Sequence, residues 1–371
     1  MEHSWKNVPK LGFGLMRLPM LGDEVDIEQF KKMADRFLEE GFTYFDTAFG
    51  YISGKSEAAF KEAVVLRHPR ESFTIATKLP DWAGANNAEE ARQMFWTSLE
   101  RTGAGYFDFY LLHNVSAERK KVFDAYGIWD FVQERKKEGL IRHAGFSFHD
   151  TADVLDQVLT EHPEVDFIQL QINYADWEDN SVQSRKCWEV ARKHDKPVVI
   201  MEPVKGGTLA NLPAEVQQVF RDGGLEPVAA ALRFAASLEG VITVLSGMST
   251  LEQMEQNLRF MKPFKPLDDR ERGLIDAALE ALKQRPGIPC TACRYCEKGC
   301  PQHIAIPQVF AARNTELVYG DPNGAKMAFR LALMQGNKPS SCVACGQCQE
   351  VCPQKIQIIE ELQKAVQAYE N

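Results

Sequence analysis

From the N-terminus to about residue 262, short apolar runs alternate with stretches whose apolar residues recur every third or fourth position. The short runs are Leu11–Leu18, Thr43–Ala48, Phe73–Lys78, Phe107–His113, Ile141–Ser147, Asp166–Asn173, Pro197–Glu202 and Val241–Gly247. Their length and their β-branched and aromatic content predict strands. The periodic stretches predict amphipathic helices over Ile27–Glu40, Glu57–Leu66, Ala88–Arg101, Trp129–Glu138, Ala152–Thr160, Val182–His194, Val228–Leu238 and Leu251–Met261. Ser56-Glu57, Asn87-x2-Glu90, Thr151-x-Asp153 and Ser249-Thr250-x-Glu252 supply side chains that can accept the free N–H groups of a helix start. Gly41, Gly103 and Gly139 can take the left-handed turn that ends one. Strict alternation of strand and helix implies a parallel sheet. Eight such units imply an α/β fold closed into a (β/α)8 TIM barrel of ~250 residues.

Beyond residue 262 the pattern changes. One more amphipathic stretch, Asp268–Arg285, leads through Pro286-Gly287-Ile288-Pro289 into the first of two copies of one cysteine pattern. The copies are Cys290-x2-Cys293-x2-Cys296-x3-Cys300-Pro301 and Cys342-x2-Cys345-x2-Cys348-x3-Cys352-Pro353. This is the bacterial ligand run for two [4Fe–4S] clusters. Three sulfurs of one short loop reach three irons, and the fourth Cys, followed by Pro, serves the other cluster. One cluster is therefore expected on Cys290, Cys293, Cys296 and Cys352, the other on Cys342, Cys345, Cys348 and Cys300. Two zinc sites or a disulfide set are the alternatives, but the spacing is unusual for zinc, and disulfides do not suit a cytosolic chain. The remaining cysteine, Cys187, sits in a helical pattern and reads as a small core residue. A helical pattern at Ala325–Met334 between the runs and another at Ile356–Tyr369 after them predict a small, mainly helical two-cluster domain of ferredoxin-like type. The expected organisation is a barrel over 1–265, a linker helix and loop over 266–289, and a dicluster domain over 290–371.

Composition narrows the setting. The 371-residue chain is 44% hydrophobic and 26% charged, ordinary for a globular protein, and its formal net charge is −9. That charge argues against nucleic acid and anionic membrane partners. No apolar stretch approaches the ~20 residues of a membrane span. The start, Met1-Glu2-His3-Ser4-Trp5-Lys6, has no apolar signal core, so a cytoplasmic location is expected.

In a (β/α)8 barrel the active site lies at the C-terminal strand ends. Asp46 and then Tyr51 follow the second strand, Lys78 ends the third, and His113 ends the fourth. A Tyr phenol, with a pKa near ~10, is a reluctant acid. A Lys ammonium beside it favours the phenolate and should draw that pKa toward the working range, and an Asp holds the Lys charged. A His at the mouth can donate a hydrogen bond to a carbonyl oxygen. The group suits protonation of a carbonyl as hydride arrives at carbon.

Phe45-Asp46-Thr47-Ala48-x2-Tyr51, Thr77-Lys78 and Leu111-Leu112-His113 resemble the tetrad of the aldo-keto reductase superfamily over about residues 5–262. With the cysteine runs, the whole chain resembles that superfamily's iron–sulfur branch, with its C-terminal dicluster ferredoxin-type domain. The resemblance implies Tyr51 as general acid/base, Lys78 as its pKa modulator, Asp46 as the partner of Lys78, and His113 as orienter of the carbonyl. It also implies a nicotinamide cofactor, NADPH or NADH. Ser147 (in Gly145-Phe146-Ser147), Gln169 and Asn173 align with positions near the nicotinamide amide. Pro203, Lys205 and Gly206, in Pro203-Val204-Lys205-Gly206-Gly207, could cradle the pyrophosphate. Gly247, Ser249, Gln253 and Asn257 align with the segment that holds the adenosine end.

The chain departs from the family where Phe148 replaces a frequent Asn, Met201 replaces a stacking aromatic, and Gly247 and Gln253 stand where Lys and Arg often meet the 2′-phosphate. Without an Arg clamp, strict NADPH use is not implied. Gly12-x-Gly14 lacks the third Gly and the strand–helix setting of a dinucleotide fingerprint. The substrate side should be lined by Phe13, Met16, Phe49, Trp82, Phe148 and Trp177, a set suited to a small carbonyl or alcohol.

A hydride carries two electrons, whereas a cubane normally moves one at a time. The clusters could therefore exchange electrons with a ferredoxin or other carrier and feed a bound flavin or the substrate, or serve as a structural or redox-sensing module. A flavin has no short signature in such barrels, so its presence stays open.

Overall fold

The computed structural model describes residues 4–80 and 84–370. All eight expected strands form: β1 (Leu11–Gly14), β2 (Tyr44–Asp46), β3 (Thr74–Pro80), β4 (Phe107–Val115), β5 (Ile141–Phe148), β6 (Phe167–Gln171), β7 (Val198–Met201) and β8 (Val241–Gly247). Each pairs in parallel with its sequence neighbour, and β8 closes onto β1. After Gly14 the chain tightens into a 3-10 turn, Leu15–Arg17, so β1 stops short of its apolar run. A hairpin of Met20–Leu21 and Glu24–Val25 comes next; two-residue strands are too short for alternation to reveal.

Strand side chains alternate between the lumen and the helix layer. Tyr44, Ala76, Phe109, Leu111, Phe167, Val199, Ile242 and Leu245 form one buried cluster that fills the lumen. Phe13 and Phe45 have the opposite parity and meet Phe30 and Phe37 of α1 (Ile27–Glu39), with centroids 5.8 Å apart for Phe13–Phe30 and 5.3 Å for Phe37–Phe45. Each such ring contributes roughly 1.5–3 kcal/mol by burial. A Cβ on Gly12 would lie 2.8 Å from Leu245 Cδ2 and 3.1 Å from Tyr44 Cδ1, so this glycine serves packing.

The layer outside the strands begins with α1, α2 (Lys55–Phe60), α3 (Ala88–Thr102), α4 (Ala117–Ala125), α5 (Ile128–Lys137), α6 (Ala152–Glu161) and α7 (Ser184–Lys193). Later in the chain come α8 (Ala214–Asp222), α9 (Pro227–Ala236) and α10 (Leu251–Met261). Asn87 accepts the Glu90 N–H at 2.9 Å and Thr250 the Gln253 N–H at 3.3 Å, as caps should. Thr151 stands at the N-cap of α6 but makes no side-chain cap bond. Ser56 is no cap: Gly54 holds that position in α2, while Ser56 is buried and donates to the Leu15 carbonyl at 2.9 Å. Helix α4 carries no apolar stripe that would announce it, whereas α8 has Val216, Val219 and Phe220 at helical spacing. Only Phe123 is buried in α4, and only Val216 and Phe220 in α8.

The chain divides into two compact units. The first is Met1–Glu178, Val182–Pro203 and Leu232–Leu267; the second is Asp179–Ser181, Val204–Ala231 and Asp268–Asn371. The segment after β7, Val204–Ala231, packs with the chain beyond Asp268. The cause lies in α11 (Asp269–Lys283), whose Leu274 occupies the space a side chain on Gly223 would need. Arg270 donates to the Gly223 carbonyl at 2.7 Å, Arg285 pairs with Glu215, and Thr208 Oγ1 donates to Asp321 at 2.7 Å.

The rest of the second unit is helical: α12 (Tyr295–Lys298), α13 (Ile306–Leu317), α14 (Pro322–Ala332), α15 (Gln347–Glu350) and α16 (Ile358–Tyr369). Its core joins Ile306, Val309, Phe310, Phe329, Ile358 and Leu362 with the buried Cys296 and Cys348. Among the described residues no helix is long and apolar enough to cross a membrane.

Candidate active site and cysteine cavities

Strand parity explains why four distant polar residues share one place. Asp46, Lys78 and His113 follow lumen-facing Tyr44, Ala76 and Leu111 by two residues each, so they too face the lumen, at its C-terminal end. Lys78 is fully buried, and Asp46 is 2% exposed. Lys78 Nζ donates to Asp46 Oδ1, to the Thr47 carbonyl at 2.8 Å and to the Tyr51 hydroxyl at 3.2 Å. Asp46 Oδ2 accepts from Gln169 Nε2 at 3.1 Å. Tyr51 opens the 3-10 turn Tyr51–Gly54 after β2, and the edge of the His113 ring meets it at a centroid distance of 5.8 Å.

Burial disfavours the Lys78 charge, but the Asp46 carboxylate and the Tyr51 hydroxyl more than offset this, and the Lys78 pKa is raised. Burial likewise raises Asp46, and Lys78 and Gln169 pull it back. In direct contact, the opposite charges favour each other's ionised form. Tyr51 corrects the expectation. Burial pushes its phenol up and Lys78 opposes, but the net displacement is upward. His113 is driven well below its ordinary range, first by burial and then by Lys78, so its imidazole is neutral.

The other aligned positions meet different neighbours. Ser147, buried in β5, pairs in register with Gln169, and its Oγ accepts the Asn114 N–H at 2.7 Å. Asn173 is spent on the protein: Nδ2 donates to Asp176 at 2.8 Å and to the Glu202 carbonyl at 3.2 Å, while Oδ1 accepts the Asp176 N–H. Pro203 is buried in the first unit. Lys205 and Gly206 lie in the second unit, where Lys205, Gly206 and Gly207 have φ of 49°, 66° and 104°. Gly247 ends β8 beside the Arg17 side chain, 3.6 Å from where its Cβ would be. Ser249 donates to the Arg17 carbonyl and, through its N–H, to Gln253 Oε1, both at 2.8 Å. Asn257 is buried and donates to Ser246 Oγ at 2.7 Å.

Ser147 and Gln169 fit a nicotinamide amide, being polar groups on the lumen face beside the Lys78–Tyr51 pair. Gln169 uses one of its two amide N–H groups on Asp46, which leaves the other N–H and its carbonyl oxygen for a carboxamide. Of the residues expected around the substrate, Phe13 faces the helix layer because of its parity and does not line the lumen. Met16 is 50% exposed, Phe148 is buried, and Trp177 packs on Trp188 and Phe234. Trp82 lies outside the described residues.

The eight C-terminal cysteines line two small cavities. One is lined by Cys290, Cys293, Cys296 and Cys352, with Ile306, Pro307 and Phe310. The other is lined by Cys300, Cys342, Cys345 and Cys348, with Ile304, Val343 and Leu362. Each thus takes three sulfurs from one run and the fourth from the other. Among the described residues no three metal-ligating side chains meet where one ion could sit. The sulfurs instead ring a space with largely apolar walls, a soft donor set that fits an iron–sulfur group. Cys187 is buried in α7, and burial pushes its thiol up to about 12.

Two residues that the sequence pattern did not single out stand behind the Tyr51 turn. Glu57, read as a helix-start residue, is a fully buried carboxylate that accepts from Thr77 Oγ1 at 2.7 Å. Arg101, read as a helix end, donates to the Phe49 carbonyl at 3.3 Å. An acidic residue inside an apolar helix face was the only available signal for the first; nothing local marked the second.

Comparison with known proteins adds six matches. A family model described as "Aldo/keto reductase family" matches residues 10–280, and one described as "4Fe-4S dicluster domain" matches residues 288–356. An aldo-keto reductase from Mycobacterium avium is 27% identical over 254 residues, 68% of this chain and 80% of its own. The NAD(P)H-dependent 6'-deoxychalcone synthase of Glycine max is 26% identical over 270 residues, 65% of this chain and 81% of its own. The fold is shared with a holo aldo-keto reductase from Bacillus halodurans (TM-score 0.59, 23% identity, 72% of this chain and 91% of that one). It is also shared with an aldo-keto reductase from Klebsiella pneumoniae in complex with NADPH (TM-score 0.56, 20% identity, 73% and 90%).

Proposed function

Because the chain belongs to the aldo/keto reductase family, we propose that it reduces a small aldehyde or ketone to an alcohol, or runs the reverse, with Tyr51 as the general acid/base. It is an oxidoreductase of aldo-keto reductase type that carries a 4Fe-4S dicluster domain. The observation that carries the reading is the Tyr51 hydroxyl at 3.2 Å from a buried ammonium, itself fixed by Asp46 and the Thr47 carbonyl.

A bound nicotinamide, NADPH or NADH, supplies the hydride. The carbonyl carbon receives it, and the carbonyl oxygen receives the proton of Tyr51. With its pKa raised, Tyr51 holds that proton at neutral pH and acts as the acid in the reductive direction. The tyrosinate left behind sits against Lys78, whose charge offsets the new one. Neutral His113 can donate its N–H to the carbonyl oxygen and orient it. A positioned general acid is worth about 10²- to 10⁴-fold in rate.

Ser147 and Gln169 are our candidates for the nicotinamide amide, with Asn173 bracing the loop behind them. Pro203, Lys205 and Gly206 are kept for the pyrophosphate, and Gly247, Ser249, Gln253 and Asn257 for the adenosine end. The nicotinamide named in the descriptions of the Klebsiella pneumoniae structure and of the Glycine max enzyme supports the cofactor class.

We assign two [4Fe–4S] clusters, one to Cys290, Cys293, Cys296 and Cys352 and one to Cys342, Cys345, Cys348 and Cys300. The four-cysteine lining of each cavity supports this. The dicluster domain is taken as 290–371, joined by 266–289 to a barrel domain over 1–265. A second reading draws on the same cavities: single-electron exchange with a ferredoxin or similar carrier. It fails if removing the clusters leaves carbonyl turnover and its donor preference unchanged.

The main test is Tyr51→Phe. Turnover of an aromatic aldehyde should fall by about 10²- to 10⁴-fold while nicotinamide binding persists; unchanged turnover would refute the reading. Anaerobic purification should yield about eight irons and eight sulfides per chain, and zinc in their place would remove the cluster assignment.

A further inference from the structure

Tyr51 is carried by a segment with a costly backbone. Ile52, Ser53 and Gly54 stand in succession in the left-handed region, with φ of 51°, 54° and 86°. For a β-branched residue such as Ile52 this is a genuine outlier. A turn of this kind persists only where its surroundings over-determine it, and such turns gather at functional sites.

One side chain spans the two ends of this segment. Arg101, in the last turn of α3, donates from its NH1 nitrogen to the Phe49 carbonyl at 3.3 Å, and its guanidinium lies over the Phe49 ring at 4.4 Å. The same group occupies the space beside Gly54, 3.3 Å from where a Cβ would be. Arg101 therefore touches the segment before and after Tyr51. Its own place is set by Glu57, fully buried, whose Oε2 is 3.6 Å from Arg101. Glu57 Oε1 accepts from Thr77, the neighbour of Lys78, and the Lys78 carbonyl accepts the Phe49 N–H at 3.2 Å. Both ends of the Tyr51–Lys78 contact are thus tied to one carboxylate on the helix side of the sheet.

We propose that Arg101, anchored on Glu57, is a positioning residue: the pair holds the strained 49–54 turn and keeps the Tyr51 hydroxyl in reach of Lys78 and the substrate oxygen. This rests on the reading of Tyr51 as proton donor. A contact that only stabilised the fold would not act selectively on this turn.

The test compares Arg101→Met, Arg101→Lys and Glu57→Gln in the full protein, with NADPH and 4-nitrobenzaldehyde as probes and amide hydrogen exchange as a second readout. Arg101→Met should lower kcat by about 10- to 100-fold, the scale of a misplaced reacting group, with KM and NADPH affinity within about twofold. Exchange should quicken in 49–54 but not in β2 or β3. Arg101→Lys should recover part of the loss, and Glu57→Gln, which keeps an acceptor for Thr77, should show a smaller effect of the same kind. Unchanged exchange in 49–54, or quickening equal to that of β2 and β3, overturns the proposal. If Arg101→Met does not fold, the same criterion applied to Glu57→Gln decides. If Tyr51→Phe keeps its activity, the reduction reading fails, while exchange in 49–54 still decides whether Arg101 holds the turn.

Discussion

The lumen end of the barrel and the two cysteine cavities treat their reactive groups in opposite ways. In the barrel, a buried ammonium meets a carboxylate, a carbonyl and a phenol, and the carboxylate's second oxygen meets an amide. In the cavities, sulfurs from two loops stand around a space walled by Ile, Pro and Leu. Burying a charge is tolerable only where the protein answers it. Thiols, by contrast, pack as small apolar groups, and Cys296 and Cys348 belong to the core itself. The first site is thus organised by the fold; for the second, cluster binding is expected to help organise the cysteine loops.

The strongest way to break this comparison is to remove iron anaerobically with a chelator. Because metal binding is folding free energy, exchange in 290–300 and 342–352 should rise by more than ~100-fold while β1–β8 stay protected. Equal change in both regions would show that the clusters do not organise the cysteine loops. Next in size is Lys78→Met, which leaves Asp46 buried without its cation. About 3–5 kcal/mol of stability should be lost in urea titration, together with most turnover. Adding Asp46→Asn should recover part of the stability but not the rate, and loss of both alike would place Asp46 outside the pair.

A smaller effect comes from His113. Its folded pKa lies well below 6.5, so as pH falls the unfolded chain binds the proton first. The stability this group contributes is complete above the unfolded value and is lost as pH falls below it. Between pH 6.5 and 5.5 the native protein should lose up to about 1.4 kcal/mol that His113→Gln does not lose, read from urea midpoints. Turnover should respond to Tyr51 in the opposite sense. With its phenol raised above the ordinary value, reduction should stay flat through neutral pH and decline only in strongly alkaline solution; a decline near pH 7 would mean that Lys78 outweighs burial after all. Smallest is Gly12→Ala, where Leu245 must shift to admit a Cβ at 2.8 Å. Overpacking of this kind should cost ~1 kcal/mol in thermal unfolding without altering turnover.

Legibility followed the range of the forces involved. Short apolar runs placed all eight strands, because each depends on its own residues, and side chains alternate between the two faces along each strand. The same alternation brings Asp46, Lys78 and His113 to one face of the barrel. Helix α4 has no apolar stripe, so nothing local marks it, whereas α8 is a second helix between β7 and β8 that an alternation of one helix per strand does not anticipate. Ser56 resembled a cap because capping and buried hydrogen bonding draw on the same hydroxyl chemistry, and only the nearness of Leu15 separates the two.

The amino-acid sequence by itself determined the barrel, the residue types at its strand ends and the doubled cysteine spacing, since these are encoded by neighbours a few positions apart. Tertiary structure decided the rest. It turned Phe13 toward α1 and packed 204–231 with the residues after Asp268. It also set burial against charge at Tyr51 and brought Arg101 and Glu57 together behind that turn. Each of these outcomes depends on desolvation and on contacts between residues far apart in the chain, quantities that exist only once the chain has closed on itself.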